Sequence, residues 1–325
     1  MKLPTFNDVE QAHLLLAGDV VRTPLLRSDI LDQIAKRRVW VKAECLQYTG
    51  SFKYRGGRYR ILCMTEEQCQ NGVVAYSSGN HAQGVALAAL KRGMKSLIVM
   101  PSDTPKVKVD GVRSLDGEVR FYDRLHEDRE QIAATIAADT GAVLIPPFDD
   151  FHVVCGQGSV GMEIAEEFAI KNEELQAVVT NAGGGGLTAG VALALERKMP
   201  GVKIYTSEPD GFDDHRRSLS SGLRERNSKL SGSICDALMA EQPGELTFSI
   251  NKDRVSAGLV VTDEQVMAAM KFAFLHLKVV LEPGGAASLA CAMYGLIPGA
   301  GSVCVIATGG NVDPVLFNQA IADPY

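Results

Sequence analysis

From Gly72 onward, short apolar runs alternate with stretches whose apolar positions recur at helical spacing. Val73 to Tyr76 and Leu97 to Met100 read as strands, and between them a helix runs from about His81 to Lys91, closed by Gly93. The rhythm continues with a helical stretch after Pro105, a strand near Val119 to Tyr122, a helix from Asp128 to Asp139, and an apolar strand Ala177 to Thr180 that runs into glycines. The same strand-then-glycine signature recurs at Ser302 to Gly310. Strands followed by glycine loops and helices predict an α/β fold on open, mostly parallel sheets, with ligands at the carboxyl ends of the strands. Pro146-Pro147 and the polar segment Asp213 to Ser233 read as loops.

Composition narrows the partners. The chain has 325 residues, of which 46% are hydrophobic and 22% charged, enough to bury a large core without disulfide staples. Its net charge is −6 and no basic run exceeds Lys36-Arg37-Arg38, so nucleic acid is excluded and a small molecule is the expected partner. Asp8 and Glu10 interrupt the unbroken apolar stretch that a secretory signal needs, which points to the cytoplasm. Seven scattered cysteines without a C-x-x-C suggest reduced, mostly buried thiols. Gly284 to Thr308 carries no charge, but Pro298 with Gly295, Gly299 and Gly301 divides it into a helix, a turn and a strand rather than a membrane span.

Three segments carry candidate chemistry. Gly183, Gly184, Gly185, Gly186 and Leu187 follow a buried strand and open a helix, so their N–H groups can converge on a phosphate at the helix's positive end. No Gly-Lys-Ser/Thr follows, which excludes a nucleotide P-loop. Ser51-Phe52-Lys53 begins another helix, where the dipole together with Arg55 and Arg58 would push Lys53 towards a neutral, nucleophilic amine; a snorkelling surface lysine is the plainer alternative. Ser77-Ser78-Gly79-Asn80-His81 lies between strand and helix and suits a carboxylate, unless Ser78 or Asn80 is consumed as a helix cap. A formal G-x-G-x-x-G at Gly156, Gly158 and Gly161 lacks both a good strand before it and an acidic ribose ligand after it, so it is a poor dinucleotide signal.

In order along the chain, Ser51-Phe52-Lys53-Tyr54-Arg55-Gly56, Ser77-Ser78-Gly79-Asn80-His81, the four glycines and Thr308-Gly309-Gly310-Asn311-Val312-Asp313, joined by Gly156-Gln157-Gly158 and Glu282-Pro283-Gly284, resemble the fold-type II pyridoxal phosphate enzymes over essentially the whole chain. The likeness is to their serine/threonine dehydratase and serine racemase branch. It implies a tryptophan synthase β-like fold with a large domain (1–72 and 148–325) interrupted by a small one (73–147), and an active site in the cleft between them. It also implies that Lys53 holds pyridoxal 5'-phosphate as a Schiff base, Phe52 packs on the ring, Asn80 bonds the ring's 3-hydroxyl, and Gly183 to Leu187 cradle the phosphate. Ser77, Ser78, Asn80 and His81 would surround the substrate carboxylate. Thr308 would meet the pyridine nitrogen; a hydroxyl cannot keep that nitrogen protonated as an aspartate would, which favours rapid loss of a β-hydroxyl over transamination. The expected activity is therefore an ammonia-lyase (dehydratase) that converts an L-3-hydroxy amino acid, from serine and threonine to phenylserine or hydroxyaspartate, into a 2-oxo acid and ammonia. In this family the leaving hydroxyl's proton is attributed to the cofactor's phosphate.

Ser78 resembles the second base of the racemases, so racemisation is the first alternative, and Arg129 aligns with an arginine that approaches substrate there; a solvated, i,i+4-paired charge is its plainer reading. Glu208, Phe212 (through its carbonyl) and Asp214 resemble the racemase loop that holds a structural Mg²⁺ or Ca²⁺, against the alternative of an acidic loop neutralised by Arg216 and Arg217. The chain departs from the common pattern at Tyr48, Gly57 and Ala82, which bear on pocket shape rather than reaction type. With Tyr325 soon after the Thr308 loop, the regulatory domain of biosynthetic threonine dehydratases is not expected, and the family resemblance implies a homodimer. A β-replacement synthase ranks lower because its carboxylate loop usually reads Thr-Ser-Gly-Asn-Thr, and a non-catalytic phospholigand-binding protein would need no reactive amine.

Overall fold

The computed structural model describes residues 2–322 and places ten strands in two sheets. The strands are β1 (Leu25–Leu26), β2 (Val39–Lys42), β3 (Val73–Tyr76), β4 (Ser96–Pro101), β5 (Glu118–Tyr122), β6 (Val143–Leu144), β7 (Ala177–Asn181), β8 (Lys203–Pro209), β9 (Ala257–Val261) and β10 (Val303–Ile306). One sheet has the order β1-β2-β10-β7-β8-β9 and the other β5-β4-β3-β6. Every pairing is parallel except β1 with β2.

Both faces of the larger sheet are buried, as parallel sheets require. Alternate residues feed different cores: Val39, Val41, Val179, Val303 and Val305 pack on one side, and Trp40, Val178, Cys304 and Ile306 on the other. The smaller sheet divides likewise, with Val73, Ala75, Ile98 and Met100 opposite Val74, Tyr76 and Val99.

The structure explains one sequence feature and corrects another. The G-x-G-x-x-G lies inside the Phe151–Lys171 helix, where the absent side chains allow close helix packing: a Cβ on Gly156 would stand 2.7 Å from the Arg55 carbonyl, and one on Gly161 2.9 Å from Ala194. The polar segment read as a loop contains the Asp214–Ser221 helix, whose first backbone N–H groups are held by Glu208. All seven cysteines are free thiols, and no helix among the described residues is long and apolar enough to cross a membrane.

Candidate active site

The loops after β3, β7 and β10 converge with the start of the Lys53–Leu62 helix on one cavity of about 420 Å³. The cleft brings together Phe52, Lys53, Ser77, Ser78, Asn80, His81, Arg129, Gly183 to Leu187 and Thr308 from five distant stretches of sequence. Glu208, Phe212 and Asp214 lie outside its wall.

Lys53 is tied into the cleft through its own backbone. Ser51 bridges to Gly309 and the Phe52 N–H donates to the Thr308 carbonyl at 3.2 Å, so the lysine segment and the Thr308 loop move as one. Lys53 Nζ donates to the Pro147 carbonyl at 2.6 Å and stands 5.3 Å from the centre of the Phe52 ring. Burial pulls its pKa down to about 8, partly opposed by the charge of Glu282.

The cause differs from the one the sequence suggested. Arg55 is fully buried and turned away, with Nε 2.8 Å from Glu44 and Nη1 2.7 Å from Glu163, while Arg58 meets Asp19 at 3.0 Å. Their charges are spent on carboxylates, so desolvation is what depresses the lysine. Burial alone would also lower Arg55, but Glu44 and Glu163 outweigh it and hold it firmly protonated. Lys42 of β2 shares Glu163, and the four buried charges lock the lysine's helix onto the six-stranded sheet.

The Asn80–Leu90 helix has Gly79 as its N-cap with no side-chain capping bond, so capping consumes neither Ser78 nor Asn80. Ser77 Oγ accepts from the Gly79 N–H at 3.1 Å, which tightens the turn. His81 behaves otherwise than expected: its buried Nε2 donates to the Ile145 carbonyl at 2.8 Å, and burial with the charge of Lys53 takes its pKa down to about 3. Nδ1 then carries no hydrogen, so toward a carboxylate only the backbone N–H of His81 can donate.

The glycine loop has the shape of an anion cradle. Its carbonyls are held away from the cleft: Gly183 O accepts from His215 Nε2 at 2.7 Å, Gly184 O from Thr247 Oγ1 at 2.6 Å, and Gly185 O from Asn251 Nδ2 at 3.2 Å. Across each trans peptide the next N–H points the opposite way, and the first N–H groups of the Gly186–Lys198 helix lack intrahelical partners. A Cβ on Gly184 would fall inside the Phe148 ring.

Opposite, Thr308 Oγ1 accepts from Asn181 Nδ2 at 2.9 Å and spends its own hydrogen only on a long, 3.4 Å bond to the Gly284 carbonyl; no carboxylate among the described residues bonds it. The donor set therefore suits a ring nitrogen that accepts. An amine-reactive, singly anchored phosphate ester fits these residues: a side-chain-free N–H cradle, a lysine of lowered pKa and a neutral hydroxyl.

Sequence reasoning gave Glu282 no role, yet it lines the cleft and accepts a hydrogen bond from Asn80 Nδ2. Burial and the charge of Asp236 raise its carboxyl to about 7, against the opposing pull of Asn80, Lys108 and Lys53. Asn311 Nδ2 donates to Asn80 Oδ1 at 2.7 Å. The Glu-Pro step at the head of a helix was the available signal, although a first-turn acid is ordinarily read as a solvated dipole partner.

Away from the cleft, Glu208 and Asp214 are buried carboxyls. Burial comes first in raising both, and a neighbouring charge adds to it, that of Asp214 at Glu208 and that of Asp213 at Asp214: Asp214 rises to about 7 and Glu208 well above the usual range. Asp214 Oδ2 has no partner, and among the described residues no group of three His, Cys, Asp or Glu side chains gathers to hold a metal.

Comparison with known proteins agrees with this chemistry. The family model described as pyridoxal-phosphate dependent enzyme matches residues 16–309. An L-threo-3-hydroxyaspartate ammonia-lyase from Pseudomonas sp is 39% identical over 96% of this chain and 97% of its own length, and an L-threonine ammonia-lyase from Thermotoga maritima is 35% identical over 98% and 78%. The structure of maize serine racemase superposes with a TM-score of 0.92 at 34% identity, covering 99% of this chain and 98% of that one.

Proposed function

The chain belongs to the family of pyridoxal-phosphate dependent enzymes, and from that premise we propose that it is an ammonia-lyase that eliminates the β-hydroxyl of an L-3-hydroxy amino acid to give a 2-oxo acid and ammonia. The observation that carries this reading is Thr308, whose hydroxyl is bonded to Asn181 and, more loosely, to the Gly284 carbonyl, and meets no acid among the described residues. Bound in the cleft, pyridoxal phosphate supplies an electrophilic carbon for the substrate amine and a conjugated ring that withdraws the electrons left when the α-proton departs. With no acid to hold a proton on the ring nitrogen, that withdrawal is modest, and a substrate able to expel a β-group is favoured over one that must wait for reprotonation.

The residues divide the work. Lys53 would anchor the cofactor, and as a free amine, its pKa lowered by burial to about 8, it could take the α-proton at Nζ. Phe52 would wall the ring, Asn80 would donate to its 3-oxygen, and Gly183 to Leu187 would receive the phosphate. Ser77, Ser78 and the N–H groups at the head of the Asn80–Leu90 helix receive the substrate carboxylate, for which that helix end is polarised. Exposed Arg129 stacks 5.6 Å from the Tyr76 ring and pairs with no carboxylate among the described residues, which favours a substrate with a second carboxylate, as in hydroxyaspartate.

We take 73–147 as a small domain inserted in a large one, and the protein as a cytoplasmic homodimer. The unpartnered Asp214 oxygen, with Glu208 and the Phe212 carbonyl, supports a structural Mg²⁺ or Ca²⁺.

A second reading, racemisation, is favoured by one observation: the Ser78 hydroxyl lines the cleft without a hydrogen-bond partner among the described residues. Assays of 2-oxo acid, ammonia and D-enantiomer with L-serine, L-threonine, L-threo-3-phenylserine and L-threo-3-hydroxyaspartate decide between them. Oxo acid and ammonia in equal amounts support the lyase, whereas D-enantiomer alone overturns it.

A further inference from the structure

Four successive glycines have no side chains with which to hold a shape, so the peptide orientations of the 183–186 loop are set by its neighbours. Thr247 and Asn251 both come from the Glu245–Asn251 helix and hold Gly184 and Gly185. The Gly183 carbonyl is held by a different element. It accepts from Nε2 of His215, the second residue of the Asp214–Ser221 helix, at 2.7 Å.

His215 is itself fixed at both ends. Its backbone N–H donates to Glu208 Oε1 at 2.7 Å, and its ring is fully buried. A carbonyl can only accept, so Nε2 carries the hydrogen, and Nδ1 has no partner among the described residues. The ring also walls the turn at Gly185, whose φ is +88° and where a Cβ would stand 2.6 Å from His215 Cε1.

We propose that His215 is a positioning residue for phosphate binding: by holding the Gly183 carbonyl outward, it turns the Gly184 N–H into the cleft to meet a phosphate monoester. A trans peptide sets those two groups in opposite directions, so the one bond to Gly183 fixes the donor that follows it. The inference rests on the reading of the glycine loop as the cofactor's phosphate site, and it adds a residue remote in sequence that touches neither cofactor nor substrate.

The test compares two ligands that differ only in the phosphate. Dissociation constants for pyridoxal phosphate and pyridoxal are measured by absorbance titration of apoprotein in the wild type, His215→Gln and His215→Met. Glutamine retains a donor for the carbonyl, whereas methionine fills similar space without one. In His215→Met, affinity for pyridoxal phosphate is expected to fall about tenfold, the order of one lost hydrogen bond, while that for pyridoxal stays within about twofold. His215→Gln is expected to recover most of the loss. A parallel fall for both ligands, or no fall in His215→Met, overturns the proposal; if that variant does not fold, His215→Ala is read by the same ratio. Wild-type protein that binds both ligands equally well would instead overturn the phosphate-site reading itself.

Discussion

Glu282 accepts a hydrogen bond from Asn80, joining the loop before the Pro283–Met293 helix to the head of the Asn80–Leu90 helix across the cleft. With Asn311 donating to the other end of the same amide, Asn80 must present an N–H, and not its oxygen, to the cleft. The proton on Glu282 and the proton on Lys53 are linked through their charges.

That linkage gives Glu282→Gln a signed outcome. The negative charge of Glu282 raises the Lys53 pKa, so its removal lets the free amine lose its proton at lower pH, and the ascending limb of the kcat profile, which reports groups in the substrate complex, should move to lower pH. Stability follows a separate sign. A carboxyl whose folded pKa lies above its unfolded one stabilises the fold below the unfolded value and loses that contribution as pH rises through about 7. The variant's Tm should therefore decline less than the wild type's from pH 6 to 8.

Lys53→Ala removes both anchor and base. Oxo-acid production should fall by about 10³-fold or more, the range for loss of a nucleophile that is also a general base, and the visible absorbance of the reconstituted protein should disappear. Unchanged Tm of the apoprotein would show that the loss is chemical.

Gly184→Ala drives a methyl into Phe148, next to the Pro147 carbonyl that receives Lys53. Overpacking of this kind costs about 1–3 kcal/mol. Lowered Tm and weakened cofactor binding are expected together, by thermal melts and absorbance titration.

The buried Glu208 and Asp214 carboxyls should respond to a hard divalent cation. Because burial raises both, ionisation at pH 8 leaves unneutralised buried charge that Ca²⁺ or Mg²⁺ would offset, and protons fill that role increasingly towards pH 6. The Tm gain on adding CaCl₂ should be larger at pH 8 than at pH 6, and absent in Asp214→Asn.

Arg55→Met strands Glu44 and Glu163 in the core beside a single remaining cation, Lys42. Breaking such a network from one side costs about 3–5 kcal/mol, measurable as a lowered denaturation midpoint with unchanged m-value.

Much of the fold was legible because parallel strands buried on both faces read as unbroken apolar runs. Val73–Tyr76 and Ala177–Asn181 announce themselves in this way, with glycines marking where each strand delivers its loop to the cleft. The Asp214–Ser221 helix was not legible: a short, polar helix that owes its first turn to a carboxylate six residues upstream has no apolar period to betray it.

The sequence by itself determined which groups could do chemistry: a lysine at a helix head, a run of glycines after a buried strand, and a serine-asparagine loop. Those signals are local, since backbone donors and helix dipoles act within a turn or two of chain. Only the tertiary structure decided how the groups behave. Arg55 lies two residues from Lys53, yet its charge goes to Glu44 and Glu163, and the lysine is tuned instead by burial and by Glu282 from the far end of the chain. Electrostatic tuning depends on desolvation and on through-space distance, and sequence spacing fixes neither.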